Sequence, residues 1–278
     1  MSRQYPTPQA LLHEHGLEAK KSWGQNFLID ERVLNDIVRG IPMSSEPVIE
    51  LGSGLGALTA PMLDAGFRVI AVERDPDMQH VLRARFAEYP GFTLLAADAG
   101  HLDYRAIARE HGIQGPMTVV GNLPYQIGGR ISVNLADMRG DVGCALLMLQ
   151  REVVQRMVAA PGSKTFGLLS VLMQRTFDVQ LYRKVSPGSF HPAPKIHSAV
   201  VKLVARPLAI SDAADAALVR VAKLAFQHRR KTLRAGLGSW PEAVGALDAA
   251  GIDPRLRPET LDMATWQRFA EALEPGRL

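Results

Sequence analysis

Short apolar runs alternate with segments of helical periodicity through the first two thirds of the chain. We expect five of these runs to be β-strands, because each is bounded by glycine, proline or acidic residues. They cover residues 48–51, 68–73, 92–97, 117–121 and 144–149. Helical patterns separate most of them, as in the segment after Asp30, which places Val33 and Ile37 on one face. Strands that alternate with helices predict an α/β protein with a doubly wound, mostly parallel sheet.

The pattern changes after about Leu168. Residues 168–173 are predicted to form a helix, and residues 179–185 and 199–204 to form strands. From Ala209 onward, Ala and Leu recur at helical spacing, and Arg206-Pro207 precedes this region. We therefore expect a catalytic domain over residues 1–206 and a small α-helical domain over residues 207–278. Residues 1–30 are expected to be an irregular arm.

Composition narrows the class of protein. Of 278 residues, 47% are apolar, so a sizeable core is available and general disorder is excluded. A single cysteine, Cys144, excludes an intramolecular disulfide, and no apolar stretch approaches the roughly 18 residues of a membrane span. We expect a soluble, cytoplasmic monomer without a membrane partner. The net charge of +4 permits a nucleic-acid partner without requiring one.

A glycine-rich turn follows the first predicted strand. Gly52, Gly54 and Gly56 lie between this strand and a helix, where glycines let the backbone approach a nucleotide closely. Glu73 ends the next strand, 21 residues after Gly52, and its carboxylate can accept hydrogen bonds from both ribose hydroxyls. Glycine-rich turns between strands and helices also occur for structural reasons alone, so the motif is only moderately specific.

The glycine spacing and Glu50 favour S-adenosylmethionine over NAD as the ligand, because a dinucleotide site usually reads G-x-G-x-x-G whereas this turn reads G-x-G-x-G. Glu50 lies two residues before Gly52, where a carboxylate repels a pyrophosphate but suits a sulfonium and an ammonium group. Its alternative is a solvated carboxylate or a partner of the helix dipole. Asp98 closes the third strand, so it is positioned to accept a hydrogen bond from the adenine amine of the cofactor. Asp98 is equally suited to cap the following helix.

The tetrapeptide Asn122-Leu123-Pro124-Tyr125 follows the fourth strand. Its chemistry suits methyl transfer to an exocyclic adenine amine, whose lone pair is delocalised into the ring. The Asn122 amide and the Leu123 carbonyl can each accept one amine hydrogen and so aim the lone pair, while Pro124 restricts Leu123 to extended backbone. Tyr125 offers a face on which the base can stack. The alternative is an ordinary turn, since Asn and Pro are common turn residues.

Six motifs in order resemble the ribosomal RNA adenine N6,N6-dimethyltransferases, which dimethylate two adjacent adenosines near the 3′ end of small-subunit (16S) rRNA. The resemblance spans nearly the whole chain and implies a Rossmann-like methyltransferase sheet. The motifs are residues 24–28, residues 50–59, the acidic positions Glu73 and Asp98, the loop at Asn122, residues 190–195 and residues 229–234. Trp23, Phe166 and Ile196 depart from the family's usual residues without touching the chemistry.

The resemblance also implies roles for two segments outside the sheet. Asn26 and Leu28 fall on positions of the family's N-terminal motif that contact the cofactor. Phe190 begins a proline-rich loop in which the family's Phe packs against the flipped adenine. We expect Phe190 and Tyr125 to enclose the target base, and we prefer this role for Phe190 to that of a core anchor for the loop, because prolines keep such a loop exposed. With a single cysteine and no ligand cluster, no metal is expected.

A block of basic residues in the C-terminal region predicts RNA binding. It contains no acidic residue, although nine acids lie in the region from Ala209 onward, and such a block suits phosphates. Its members are Arg220, Lys223, Arg229, Arg230, Lys231 and Arg234. Lys20 and Lys21 are predicted to add a second contact. The expected partner is small-subunit rRNA in a pre-30S particle, and the alternative for the block is an ordinary solvated face.

Three other functions compete with small-subunit methylation. A related enzyme that methylates large-subunit rRNA and confers macrolide resistance shares the cofactor site, but Leu123 and the motif at residues 229–233 favour the small-subunit branch. A non-catalytic ribosome-assembly or transcription factor is disfavoured because Glu73, Asp98 and Asn122 are all present. A dehydrogenase is disfavoured by the glycine spacing and by Glu50.

Overall fold

The computed structural model describes residues 5–20, 23–44, 46–207 and 209–273, and it divides the chain into two compact units. The first unit comprises the chain up to Val154 together with Gln180–Ala205, and the second comprises Gln155–Val179 and the chain from Arg206 onward. Within the described ranges, no helix has the length and apolarity that a membrane crossing requires.

Among the described residues, the first unit contains nine strands and seven α-helices. One of the strands (Phe177–Val185) and one of the helices (Arg151–Met157) extend into the second unit at one end. The strands are β1 (Phe27–Leu28), β2 (Val48–Leu51), β3 (Val69–Glu73), β4 (Phe92–Ala96), β5 (Met117–Asn122), β6 (Val142–Gln150), β7 (Phe177–Val185), β8 (Phe190–His191) and β9 (Ser198–Ala205). The helices are α1 (Pro8–Glu14), α2 (Glu31–Gly40), α3 (Thr59–Asp64), α4 (Pro76–Phe86), α5 (Tyr104–Glu110), α6 (Gly128–Asp137) and α7 (Arg151–Met157).

Seven of the strands form one sheet in the order β4-β3-β2-β5-β6-β9-β7. The first five are parallel, and β9 is antiparallel to β6. From β2 the chain moves outward through β3 to β4 and then returns to β5 on the other side, so the strand order reverses between β2 and β5. Such a switch point opens a crevice at the carboxyl ends of the strands. The predicted fold class is confirmed, and the switch point locates the site.

The central strands are apolar because both faces of the sheet are covered. Every residue of β2 and β3 is buried, as expected for parallel strands with helices on each side. The helix that follows β3, α4, is capped by Asp75, whose carboxylate accepts a hydrogen bond from the Asp77 N–H, and Pro76 occupies the first helical position. This tight capping fixes where the chain turns, directly after Glu73.

The expectation that residues 1–30 are wholly irregular is wrong. Helix α1 begins after Thr7, whose hydroxyl accepts a hydrogen bond from the Ala10 N–H. Leu11 and Leu12 of this helix are buried in a cluster that includes Phe27. The helix has only seven residues, so its apolar pattern is too short to be recognised by periodicity.

The second unit is helical. It contains α8 (Leu168–Gln174), α9 (Asp212–Gln227), α10 (Leu233–Gly236), α11 (Pro241–Ala249) and α12 (Met263–Ala272). Its core includes the fully buried Trp266 and Phe269 of α12 and Leu218 of α9. Phe166 and Val171 belong to the same core, which explains why Gln155–Val179 joins this unit although it precedes the predicted boundary at residue 206.

Candidate active site

A cavity lies at the carboxyl ends of the central strands. Its empty volume is about 1080 Å³, including the part that is open to solvent. Its walls contain nine of the residues predicted to act on the cofactor or the target base: Asn26, Leu28, Glu50, Gly52, Gly54, Glu73, Asp98, Asn122 and Tyr125. Leu123 and Pro124 also line it. The alternation of strands and helices therefore brings together side chains that are up to 99 residues apart in sequence.

The glycine turn and Glu73 are bonded to each other. Glu73 accepts a hydrogen bond from the Gly54 N–H at 2.8 Å through one oxygen and one from the Asp75 N–H at 2.8 Å through the other. Gly54 has a φ of +54°, and a Cβ there would lie 3.2 Å from the Phe27 ring. Burial raises the pKa of Glu73, and the backbone N–H groups oppose that shift. Each carboxylate oxygen keeps a lone pair for a further donor.

Glu50 is a buried carboxyl group on β2, two residues before Gly52, and it lines the cavity. Its side chain is 2% exposed and accepts a hydrogen bond from the Thr59 hydroxyl at 2.5 Å. Burial raises the pKa of Glu50 to about 8, and the Thr59 hydroxyl opposes the shift. The alternative of a solvated carboxylate is therefore wrong. A buried acid that lines a cavity attracts a cationic ligand, because the ligand stabilises its ionised form.

Asp98 follows β4 and performs the capping role that the sequence left open. Its carboxylate accepts a hydrogen bond from the Gly100 N–H at 2.8 Å and lies 3.3 Å from the Arg74 guanidinium. The Gly100 N–H and then Arg74 lower the pKa of Asp98. Arg74 also stacks on the Trp23 ring, 4.4 Å from its centroid. Asp98, Arg74 and Trp23 all line the cavity, so a cation and an indole adjoin the predicted adenine acceptor.

Asn122 ends β5, and its amide is held by the residues just before β1, which include Gly24 and Asn26 and are called the N-terminal segment below. The amide nitrogen donates a hydrogen bond to the Asn26 carbonyl at 2.9 Å, and Asn26 in turn donates to the Gly24 carbonyl at 3.1 Å. With its nitrogen engaged, the Asn122 amide presents its oxygen as a hydrogen-bond acceptor. This contact links residues that are 96 positions apart.

The residues after Asn122 form a tight connection into α6. Leu123 is buried and donates its N–H to the Met148 carbonyl at 3.2 Å, which ties the loop to β6. Tyr125 is half-buried, and its hydroxyl lies 2.8 Å from the Ser198 hydroxyl at the start of β9. Burial raises the pKa of Tyr125, so the phenol stays neutral over the physiological range.

The N-terminal segment is anchored by Asp75, whose side chain is fully buried. Asp75 accepts hydrogen bonds from the Gln25 amide and from the Lys20 ammonium, each at 2.7 Å. Lys20 also pairs with Asp77 at 2.6 Å. Lys20 is thus engaged in holding this segment against the protein, and Lys21 lies outside the described residues. The predicted phosphate contact of Lys20 has no support from this geometry.

The expectation that its proline-rich loop keeps Phe190 exposed is wrong for Phe190 itself, although much of the loop after it is exposed. Phe190 is 4% exposed, and its backbone pairs with Leu28 in the two-stranded β1–β8 ladder. Its ring packs in a core cluster with Leu28, Leu34 and Ile37, and it does not line the cavity. The position of Phe190 therefore fits the alternative of a core anchor. Its pairing with Leu28 buries it, although the neighbouring prolines by themselves favour an exposed loop. Its contact with the target base stays a prediction.

All six residues of the basic block are exposed on the second unit. Arg220 and Lys223 lie on α9, Arg234 lies on α10, and the other three lie in the connection between these helices. Arg220 stacks on Trp240 at 3.8 Å, and Arg229 donates a hydrogen bond to the Lys164 carbonyl at 2.6 Å. Arg230 and Lys231 extend from the connection as exposed cations.

Sequence reasoning missed four contributors to the site. Trp23 and Arg74 belong to the cavity wall, and Ser198 holds Tyr125. Gly121 allows the ends of β2 and β5 to approach, because a Cβ there would lie 2.7 Å from the Leu51 carbonyl oxygen. A glycine inside a strand indicates that another backbone comes close, so Gly121 could have been found from the sequence. The contact between Tyr125 and Ser198 could not, because these residues are 73 positions apart and the sequence around each does not indicate the other.

Comparison with known proteins identifies the family. The family model for ribosomal RNA adenine dimethylase matches residues 16–274. The chain is 46% identical to ribosomal RNA small subunit methyltransferase A of Anaeromyxobacter dehalogenans strain 2CP-C, an alignment that covers 98% of this chain and 100% of the relative. It is 39% identical to the protein of the same name from Myxococcus xanthus strain DK1622, covering 97% and 96% of the two chains.

Solved structures agree with this assignment. The 23S rRNA methyltransferase ErmE is 25% identical, with a TM-score of 0.68 over 89% of this chain and 99% of its own. A dimethyladenosine transferase from Plasmodium falciparum shares the fold, with a TM-score of 0.74 at 21% identity over 87% of this chain and 95% of its own. The resemblance carried by the six sequence motifs is thereby confirmed, and the chain belongs to the ribosomal RNA adenine dimethylase family.

Proposed function

We propose that the protein transfers methyl groups from S-adenosylmethionine to the N6 amines of two adjacent adenosines near the 3′ end of small-subunit (16S) rRNA. The observation that carries the proposal is the Asn122 amide, held by the Asn26 carbonyl at 2.9 Å so that its oxygen is available to an amine at the edge of the cavity. The names of the relatives identify the small subunit as the target.

The lining of the cavity fits S-adenosylmethionine. Glu50 supplies a buried carboxyl group for the cationic end of the molecule, and Glu73 beside the glycine turn suits the ribose hydroxyls. Asp98 suits the adenine amine, with Trp23 and Arg74 beside it. Asn26, Leu28, Gly52 and Gly54 also line the cavity. When bound, this cofactor supplies an electrophilic methyl group on sulfur.

The protein's own groups act by orientation. The Asn122 amide oxygen and the Leu123 carbonyl each accept one hydrogen of the target amine, which turns the nitrogen lone pair toward the methyl group. Pro124 keeps Leu123 extended, and Tyr125 gives the base a face on which to stack. No general base is required, because the nitrogen becomes acidic once it is methylated. Catalysis is then mostly positioning and electrostatic complementarity.

The basic block on the second unit supports RNA binding. Arg220, Lys223, Arg229, Arg230, Lys231 and Arg234 are all exposed. Exposed Lys and Arg side chains bind phosphates without regard to sequence. We therefore assign RNA binding to the helical unit and methyl transfer to the sheet-containing unit, acting as a monomer on pre-30S particles in the cytoplasm. A role in ribosome biogenesis follows from such a substrate.

Methylation of purified ribosomal subunits tests this proposal. Small subunits that lack the modification, incubated with the protein and labelled S-adenosylmethionine, should yield N6,N6-dimethyladenosine after nuclease digestion. Large subunits and already methylated small subunits should stay unlabelled. The similarity to ErmE makes large-subunit RNA the second candidate substrate, and label confined to large-subunit RNA would overturn the proposal in favour of that candidate.

A further inference from the structure

The proline-rich segment after β8 leads into Ser198, a buried serine that contacts Tyr125 in the loop at residues 122–125. Ser198 is the first residue of β9, is fully buried, and pairs through its backbone with Gln150 of β6. Its hydroxyl lies 2.8 Å from the hydroxyl of Tyr125. The serine is therefore fixed to the central sheet, whereas the tyrosine lies in the loop after β5.

We propose that Ser198 is a positioning residue for Tyr125, whose ring forms the stacking face for the target base. The inference rests on the proposed function, because it gives the Tyr125 ring a base to receive. It also gives the segment at residues 190–198 a role in holding the target base, through Ser198 and Tyr125. The Phe190 ring is buried in the core and does not fill that role in this structure.

The chemistry of the pair favours a fixed ring. Tyr125 lines the cavity with a half-buried side chain, and its hydroxyl and that of Ser198 can each donate or accept. Because burial raises the pKa of Tyr125, the phenol keeps its proton and the hydrogen bond persists over the physiological range. A bond at the far end of the ring holds the ring plane, which a stacked base requires.

A double-mutant cycle distinguishes two roles for the hydrogen bond between Ser198 and Tyr125. The bond either positions the Tyr125 ring or only satisfies the buried Ser198 hydroxyl. Tyr125→Phe and Ser198→Ala each remove the bond, and each should lower kcat/KM for unmethylated small subunits about three- to tenfold, the usual range for one neutral hydrogen bond. The double variant should be no worse than the less active single variant, because the same bond is absent from all three proteins. Affinity for S-adenosylhomocysteine should stay at the wild-type level.

Ser170→Ala is the matched control. Ser170 is also fully buried, and its hydroxyl donates to the Arg156 carbonyl at 2.5 Å within the second unit. This variant removes a buried hydroxyl without touching Tyr125, so it should lower the melting temperature and leave kcat/KM unchanged. Reductions in kcat/KM that multiply in the Tyr125→Phe/Ser198→Ala variant overturn the inference, as does wild-type kcat/KM in Ser198→Ala.

Nuclear magnetic resonance of ring-labelled tyrosine supplies a readout that needs no activity. The chain has five tyrosines, so Tyr125→Phe assigns the Tyr125 signal by its disappearance. Ser198→Ala should shift and broaden that signal and leave the other four in place. An unchanged Tyr125 signal overturns the inference whatever the substrate is, whereas a wild-type protein inactive on small subunits overturns the proposed function alone.

Discussion

The side-chain amide of Asn122 donates a hydrogen bond to the backbone carbonyl of Asn26 at 2.9 Å. This hydrogen bond determines which end of the amide is free, because the nitrogen is engaged and the oxygen is left to accept. It also makes the segment before β1 part of the support for residues 122–125, the proposed catalytic loop. That segment is in turn held by Gln25, which donates to the buried Asp75 carboxylate.

Substitution of Asn122 should separate chemistry from cofactor binding. Asn122→Ala removes the acceptor for the amine, and we expect methyl transfer to fall at least about 100-fold, as for the removal of other groups that act mainly in the transition state. Asn122→Asp keeps the shape but replaces the donor to the Asn26 carbonyl with a second acceptor oxygen, and it should be equally inactive.

Calorimetric titration with S-adenosylhomocysteine is the control for both variants. Binding to Asn122→Ala should stay within about threefold of wild type, because that substitution removes only one neutral hydrogen bond at the edge of the cavity. Asn122→Asp also adds a carboxylate beside the Asn26 carbonyl, so its titration shows how much of its inactivity comes from weaker binding. A variant that methylates small-subunit RNA at the wild-type rate would remove Asn122 from the mechanism.

The sheet and most of the residues that line the cavity were predictable because they depend on local signals. Apolar runs, the glycine turn and the acidic residue at the end of β3 all lie within short windows, so the cavity wall from Glu50 to Tyr125 follows from strand order. Phe190 was misplaced because its burial depends on pairing with Leu28, 162 residues earlier. Ser198 was missed for the same reason, since its contact with Tyr125 joins residues that are 73 positions apart and cannot be predicted from the sequence around either of them.

Cofactor binding should release a proton that Glu50 holds. Burial raises the pKa of Glu50 to about 8, so at pH 7 the ligand-free carboxyl group is mostly protonated. A cationic ligand favours the ionised form, and affinity for S-adenosylmethionine should therefore rise with pH until about pH 8. Titration at pH 7 in buffers of different ionisation enthalpy measures the protons released.

Glu50→Gln is the matched variant for this measurement. It keeps the size of the side chain, removes the titrating group, and should abolish the part of the proton release that Glu50 contributes while weakening binding. The ligand-free wild type should also lose stability relative to Glu50→Gln as pH rises from 4.5 to about 8, because the unfolded carboxyl group ionises first. Equal proton release from both proteins would contradict this account.

Trp23 should report on the cofactor through its emission. Its ring lines the cavity and stacks with Arg74, which also pairs with Asp98. An adenine amine that bonds to Asp98 changes the surroundings of Arg74 and hence of the indole, so S-adenosylhomocysteine should change tryptophan fluorescence.

Two conservative variants locate the source of that signal. Trp23→Phe should remove the fluorescence change while calorimetric affinity stays within about threefold, because Phe keeps an aromatic face for the guanidinium. Trp240→Phe, in the second unit, should keep the change in full. A signal that survives in Trp23→Phe would contradict the placement of the ligand beside Trp23.

Charge reversal in the basic block should weaken RNA binding in a salt-dependent way. Arg230 and Lys231 are the sharpest targets, since Arg229 also bonds to the Lys164 carbonyl and Arg220 stacks on Trp240. The variant Arg230→Glu/Lys231→Glu should bind unmethylated small subunits more weakly. The slope of log K against log salt should fall by about one for each phosphate that the variant no longer neutralises.

Net charge alone is a competing explanation for such weakening, so the control must carry the same change. Arg83 on α4 and Arg109 on α5 are exposed, and neither lines the cavity. If Arg83→Glu/Arg109→Glu keeps the wild-type slope and the Arg230/Lys231 variant does not, the contacts are specific to the block. If both variants lose affinity equally, long-range attraction explains the binding, and the block is an ordinary solvated face. We expect the first result, because phosphates are neutralised only by cations close to them, within a Debye length of about 8 Å at physiological salt.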